Sequence, residues 1–223
     1  MAHERNEEMK TVTYAFTGDA KIPAEVTKKG KTTPVWIQQL WEDGEYKEYV
    51  QKNGCGHCCT AMAANLHGVK ITPHEEYEYC RKIWGAPKEP QQHFMSATGI
   101  EKALNSLGVA ATAYPILDRA EATAKITEAL CDGKIVIFVS KPCEEYPENP
   151  FSKGSHWVLA AGYDAEGKIV VANSSNRAIT ADGIQCVTPQ VIHDALYVGE
   201  ALEDRTWGIL KPLTPGVGFV IVG

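Results

Sequence analysis

Among the side chains of this 223-residue chain, Cys55 and His156 have the surroundings that sulfur-based nucleophilic chemistry needs. A cysteine attacks a carbonyl only as thiolate, or as a thiol whose proton a base removes. Cys55 lies in NGCGHCCTAMAANLHG (53–68), where glycines make a tight turn and an Ala-rich helix-forming stretch follows. That places the sulfur at a helix amino end, where unpaired amides and the helix dipole favour negative charge. The imidazole must come from elsewhere, because a neighbour on the same helix points along it. His156, in KGSHWVLAAGYD, sits where a polar loop enters an apolar strand. A solvent-facing histidine at a strand end would give the same pattern.

Geometry supplies a third group. If Ala165 and Glu166 form the tip of a hairpin, His156 faces Ser175 and Asn173 becomes its diagonal neighbour on the same face. Diagonal pairs lie roughly 7–8 Å apart, within reach of long side chains. Asn173 would then accept a hydrogen bond from the imidazole and aim it. A slip of one residue would move Asn173 to the other face. A fourth group, an oxyanion donor, is expected from a glutamine beside the amide of Cys55. Gln39 ranks first, Gln38 second and Gln51 third, the last being only four residues from Cys55.

Elements that could position these groups follow from caps and periodicity. A buried helix is expected at about 56–67. Thr72, Pro73 and Glu75 open a second helix, with Tyr77, Cys80 and Trp84 on one face. Thr98 and Glu101 read as the capping box of a third helix ending at Gly108, and Asp118 and Glu121 open a fourth ending at Gly133. A short one follows Thr188 and Pro189. Strands are expected at 134–140, 156–163, 168–173, 206–211 and 217–222. Helices dominate the first half and strands the second, which indicates an α+β fold. Residues 1–32 read as a polar, loosely ordered lead-in. Residues 33–223 read as one domain, with a helical lobe to about 133 and a sheet lobe beyond.

Composition bounds the rest. Hydrophobic residues make up 44% and charged residues 22%, enough apolar content for a packed core. No apolar run approaches the roughly 18–20 residues of a membrane span. The net charge of −6 disfavours non-specific nucleic-acid binding, which needs a basic field. Seven cysteines cannot all pair within one chain, so mostly free thiols are expected. The start, MAHERNEEMK, has no apolar leader, which fits a cytoplasmic protein or an exported one whose leader is missing. Nothing in the sequence reports an oligomeric state.

With these residues in view, a resemblance emerges. GCGHCCTAM (54–62) resembles the nucleophile helix of the bacterial bacteriocin-processing cysteine peptidases and their single-domain relatives, within the papain-like superfamily. SHWVLAAGYDAEGKIVVANSS (155–175) resembles that family's second block, PVWIQQ (34–39) its oxyanion-glutamine segment, and EALCDGKIVIFV (128–139) the unit between. The resemblance implies a papain-like fold in which a helical half carrying the nucleophile packs on an antiparallel sheet half. It implies Cys55 as nucleophile, His156 as acid/base, Asn173 as its orienting partner, and Gln38 or Gln39 at the oxyanion. The substrate implied is a peptide or amide, cut through a thioester with no metal or cofactor. Three departures stand out: His57 replaces the usual Pro, Asn173 stands where Asp is commoner, and Cys58 and Cys59 are unusual extra thiols.

Other readings remain. An amine acceptor in place of water would make the chain an acyltransferase. A papain-like domain can also keep its groove as a non-catalytic peptide-binding module. Cys58 or Cys59 could be the nucleophile instead, although one turn into the helix side chains usually pack inward. Cys55, His57, Cys58 and Cys59 are all metal-ligand types, but adjacent cysteines aim poorly at one ion. The acidic loop 141–154, with Glu144, Glu145 and Glu148, reads as either a solvated loop or a bias towards cationic substrates.

Overall fold

A computed structural model describes residues 11–16, 24–42, 44–84, 95–175, 183–198 and 218–223. The chain begins with a three-stranded antiparallel sheet of β1 (Thr13–Ala15), β2 (Glu25–Lys28) and β3 (Lys31–Pro34), in the order β1-β2-β3. Then come α1 (Lys47–Asn53), α2 (Cys55–Leu66), α3 (Pro73–Trp84) and α4 (Ala97–Ser106). Strand β4 (Ala111–Pro115) precedes α5 (Arg119–Cys131). The remainder is β5 (Ile135–Ser140), β6 (His156–Tyr163), β7 (Ile169–Asn173), β8 (Ile184–Val187), α6 (Pro189–Ala195) and β9 (Gly218–Val222). The main sheet is antiparallel throughout, ordered β4-β9-β5-β6-β7-β8. This is an α+β, papain-like architecture.

Every residue of β5 and β7 is buried, as are all but the last of β6, so both faces of the central sheet are covered. Helix α2 packs on β6, and α5 packs on β5 and β6. Residues 56–66 of α2 are all buried, which its all-round apolar and small composition allows. A helix enclosed in this way holds its first residue in a fixed place relative to the sheet.

The caps of α3 and α5 follow the sequence reading. Thr72 and Glu75 exchange backbone and side-chain hydrogen bonds, and Asp118 accepts from the Glu121 amide at 2.8 Å. Helix α4 differs: Ser96, not Thr98, is the cap, accepting from Gly99 N–H at 3.0 Å, while Glu101 accepts from Ala113 N–H. Thr98 lies inside the helix, where a cap cannot act. The strand expected at 206–211 lies outside the described residues.

The described residues of the lead-in contribute to the core. Val12, Ala24 and Val26 are buried in the core, and Lys28, 3% exposed, donates to the carbonyls of Lys134 and Ala161. Burial holds the Lys28 amine down to about 7. Short alternating strands amid Lys and Thr gave too little apolar signal to stand out. The two-lobe division is also blurred, because β4 lies within the expected helical lobe yet pairs with β9 at one edge of the main sheet.

The hairpin β6–β7 carries the site. Its turn is wider than the two-residue tip expected from sequence: Asp164 N–H reaches Lys168 O, leaving 165–167 as the loop, with Gly167 at φ +76°. That extra residue would shift the register. A bulge between Ala160 and Gly162 shifts it back, so Asn173 pairs with Val158. Asn173 is thus the diagonal neighbour of His156, as expected, by way of two compensating irregularities. The bulge sits at Ala161, the residue whose carbonyl Lys28 binds.

Candidate active site

Cys55 opens α2 directly after α1, with Gly54 as the junction between the two helices. A side chain at 54 would meet the Val50 carbonyl at 2.4 Å, and one at 56 would meet Met95 Cβ at 2.8 Å. The GCG motif is therefore the sequence that lets α1 run into α2 while Met95 closes over the first turn. The Met95 carbonyl accepts from Trp157 Nε1 at 2.9 Å, tying this turn to the start of β6.

Cys55 is half-buried, whereas Cys58 and Cys59 are sealed in the core. All seven cysteines are free. Nearby backbone dipoles at Trp157, Gly56 and Cys55 itself favour the Cys55 thiolate. Burial outweighs them and pushes the thiol above its ordinary value. The helix amino end thus offsets only part of the desolvation cost, and position alone does not make the thiolate expected from sequence.

His156, 4% exposed, begins β6 one residue before Trp157, so the ring lies at the strand end that Trp157 ties to the turn carrying Cys55. Its Nε2 lies 2.8 Å from Asn173 Oδ1. The orientation of the Asn173 amide is fixed by its other bonds. Nδ2 donates to Phe151 O at 2.9 Å and to Gln185 Oε1 at 3.0 Å, and Oδ1 also accepts from Ser175 N–H at 3.0 Å. The carbonyl oxygen must then face the ring, Nε2 must carry the proton, and Nδ1 keeps its lone pair. Burial lowers the imidazole to about 4, with the Asn173 bond pulling upward. Neutral ring and neutral thiol are therefore the resting pair.

Of the three glutamines, Gln38 is the one the fold buries between the two halves of the site. Its backbone N–H donates to Ser174 O at 2.9 Å, beside Asn173. Its side chain, 6% exposed, reaches Gln51 O at 3.5 Å, four residues before Cys55. Its Oε1 is buried with no partner. Gln39 is half-buried one residue further on. The Gln51 amide is committed to the Trp41 carbonyl. The turn at Gln38–Leu40 directs the adjacent Gln38 and Gln39 side chains apart.

Three supporting residues escaped the sequence reading. Gln185, on β8, holds Asn173 and donates to Pro150 O at 2.8 Å. Phe151 accepts from Asn173, so the acidic loop 141–154 braces the site, and its Glu145 pairs with Arg119 at 2.8 Å. Four-residue β8 carries too little pattern to announce itself. Glu76, buried in α3, bonds His57 and Cys80. The one available signal was its i,i+4 spacing to Cys80. The metal-ligand types Cys55, His57, Cys58 and Cys59 do not converge: His57 turns to Glu76 instead.

Two outcomes follow. Gly54→Ala, which drives a methyl into the Val50 carbonyl, should cost on the order of 2 kcal/mol and lower the melting midpoint by roughly 4–8 °C. His156 titrates near 6.5 when unfolded and near 4 when folded, so the unfolded chain takes up its proton first. Stability is full above about 6.5 and falls as the pH drops towards 4, by on the order of 3 kcal/mol. In His156→Gln that part of the acid loss should vanish, read as the difference between the two proteins' denaturation midpoints across this window. Parallel curves would contradict the burial assignment.

Comparison with curated proteins gave no match. Two solved structures align with the fold: the peptidase domain of Streptococcus ComA, a bi-functional ABC transporter involved in a quorum-sensing pathway, and a C39-like peptidase from Bacillus anthracis. The first is 12% identical, covering 77% of this chain and 92% of that one, and the second 13%, covering 84% and 93%; both have a TM-score of 0.44. The model of the Peptidase_C39 like family matches residues 36–188, which span the glutamine segment, Cys55, His156 and Asn173. With more than half of its length matched, the chain belongs to the Peptidase_C39 like family.

Proposed function

We propose that this chain is a cysteine peptidase or amidase that cleaves a peptide or isopeptide bond through a thioester on Cys55. Membership of the Peptidase_C39 like family supports a cysteine-peptidase type of function. The observation that carries the finer reading is the His156–Asn173 hydrogen bond, held at the strand end that Trp157 ties, through the Met95 carbonyl, to the turn carrying Cys55.

In this reading Asn173 keeps the His156 proton on Nε2, so Nδ1 is the base. As the Cys55 sulfur attacks the scissile carbonyl, its proton passes to Nδ1. The sulfur–carbon bond forms, the carbonyl π electrons move to oxygen, and an imidazolium balances the oxyanion. The Gln38 amide and the Cys55 N–H supply hydrogen bonds to that oxygen. Gln38 Nε2 has only a 3.5 Å contact with Gln51 O to give up. Collapse breaks the carbon–nitrogen bond, and the leaving amine takes the proton from His156. Water, deprotonated by the same nitrogen, then hydrolyses the thioester and restores the thiol. An amine entering in place of water would give acyl transfer with the same groups. No step needs a metal or cofactor.

A neutral ring that stays neutral to about pH 4 has a kinetic consequence. Activity should persist as the pH falls through 6.5 and decline only near 4, where protonation of His156 removes the base. The first experiment is a peptide-library digest with wild type beside Cys55→Ala. Cleavage at a defined motif by wild type alone is expected; equal cleavage by both would overturn the assignment, and none by either would favour a binding module. Gln38→Ala should lower kcat by about 100- to 1,000-fold, with Gln39→Ala close to wild type. The reverse order would place the oxyanion donor at Gln39.

A further inference from the structure

We propose that His57, Glu76 and Cys80 form a binding site for a divalent transition-metal ion of the zinc class, which fastens α2 to α3 behind the nucleophile. This site is separate from the acyl-transfer groups. It rests on a cluster whose three potential ligand atoms, His57 Nδ1, a Glu76 carboxylate oxygen and Cys80 Sγ, all lie within 4.8 Å of one another. His57 is 1% exposed, and Glu76 and Cys80 are fully buried. His57 comes from the first turn of α2, and Glu76 and Cys80 lie at i and i+4 on one face of α3.

Chemistry and charge favour the same occupant. One imidazole nitrogen, one carboxylate oxygen and one sulfur are the donor types zinc accepts together, with bonds of about 2.0–2.3 Å. Tetrahedral geometry at those lengths sets ligand atoms about 3.3–3.7 Å apart, within the 4.8 Å spread observed. Glu76 already accepts from His57 on one oxygen and from the Cys80 thiol, at 3.0 Å, on the other. The two protons in these bonds occupy the space an ion would take. Binding requires the Cys80 thiol to lose its proton and His57 Nδ1 to offer its lone pair, the ring proton moving to Nε2 or leaving. The ion's two positive charges would then match one carboxylate and one thiolate, leaving the buried cluster neutral.

The surroundings suit a structural site. The rings of Tyr77 and Tyr49 stand edge-on to His57 at centroid distances of 5.0 and 6.4 Å, giving a largely apolar wall. His57 is two residues from Cys55, so an ion held there would stiffen the turn that carries the sulfur. Three protein ligands leave a fourth position for water or a further side chain.

The test is cobalt(II) titration of the full chain as Cys55→Ala, after chelator treatment under reducing conditions. Removing Cys55 keeps the active-site thiol from contributing. Uptake of one equivalent is expected, with a thiolate-to-cobalt charge-transfer band in the near ultraviolet that zinc abolishes on competition. The band should be lost in Cys55→Ala/Cys80→Ser. Zinc should also raise the melting midpoint of Cys55→Ala, and Glu76→Gln added to it should remove the shift, which keeps the test decisive if the serine variant fails to fold. No stoichiometric cobalt uptake by Cys55→Ala, or a band that persists without Cys80, would overturn the proposal.

Discussion

The hydrogen bond between His156 and Asn173 is the constraint around which the described site is arranged. It joins two strands at their open end, and strand pairing permits it in one register only. A displacement of one residue would turn Asn173 to the opposite face. The register that permits it results from a widened turn and a bulge that cancel. Lys28, from the amino-terminal sheet, binds the carbonyl of Ala161 within the bulge. A segment far from the site in sequence thus helps to hold the alignment on which the imidazole depends.

Electrostatics give the site its particular character. Burial disfavours charge on Cys55 more strongly than the helix amino end and nearby backbone dipoles favour it. His156 shows the same conflict, with desolvation dominating and the Asn173 contact opposing it. In the proposed mechanism two groups that each resist ionisation alone exchange a proton when charge develops on both at once, because each new charge then has its partner nearby. In that mechanism the proton transfer is linked to attack on the substrate, and the fixed tautomer of His156 directs it.

Much of this was legible in the residues. GCG ahead of an Ala-rich run located helix α2, because a turn this tight against Val50 and Met95 tolerates no side chain. The apolar runs around His156 and Asn173 located the hairpin, and the caps at Thr72 and Asp118 located two helices. Less legible were features with little local signal. The short strands β2 and β3 are rich in Lys, Thr and Glu, and their place in the fold depends on distant partners. Gln185 and Phe151 act on Asn173 through contacts that only tertiary structure creates. Gln38 and Gln39 are neighbours in sequence but differ in burial in the fold, a difference no local signal announces. His57 marked a departure from the family pattern, and its partners on α3 became visible only in three dimensions.

The most direct test of the central claim is nitrogen-15 NMR of the His156 ring in the intact chain at neutral pH. The account predicts a neutral imidazole with its proton on Nε2, and a mixture of tautomers once Asn173 is replaced by alanine. A neutral ring protonated on Nδ1, or a pattern unchanged in Asn173→Ala, would contradict it.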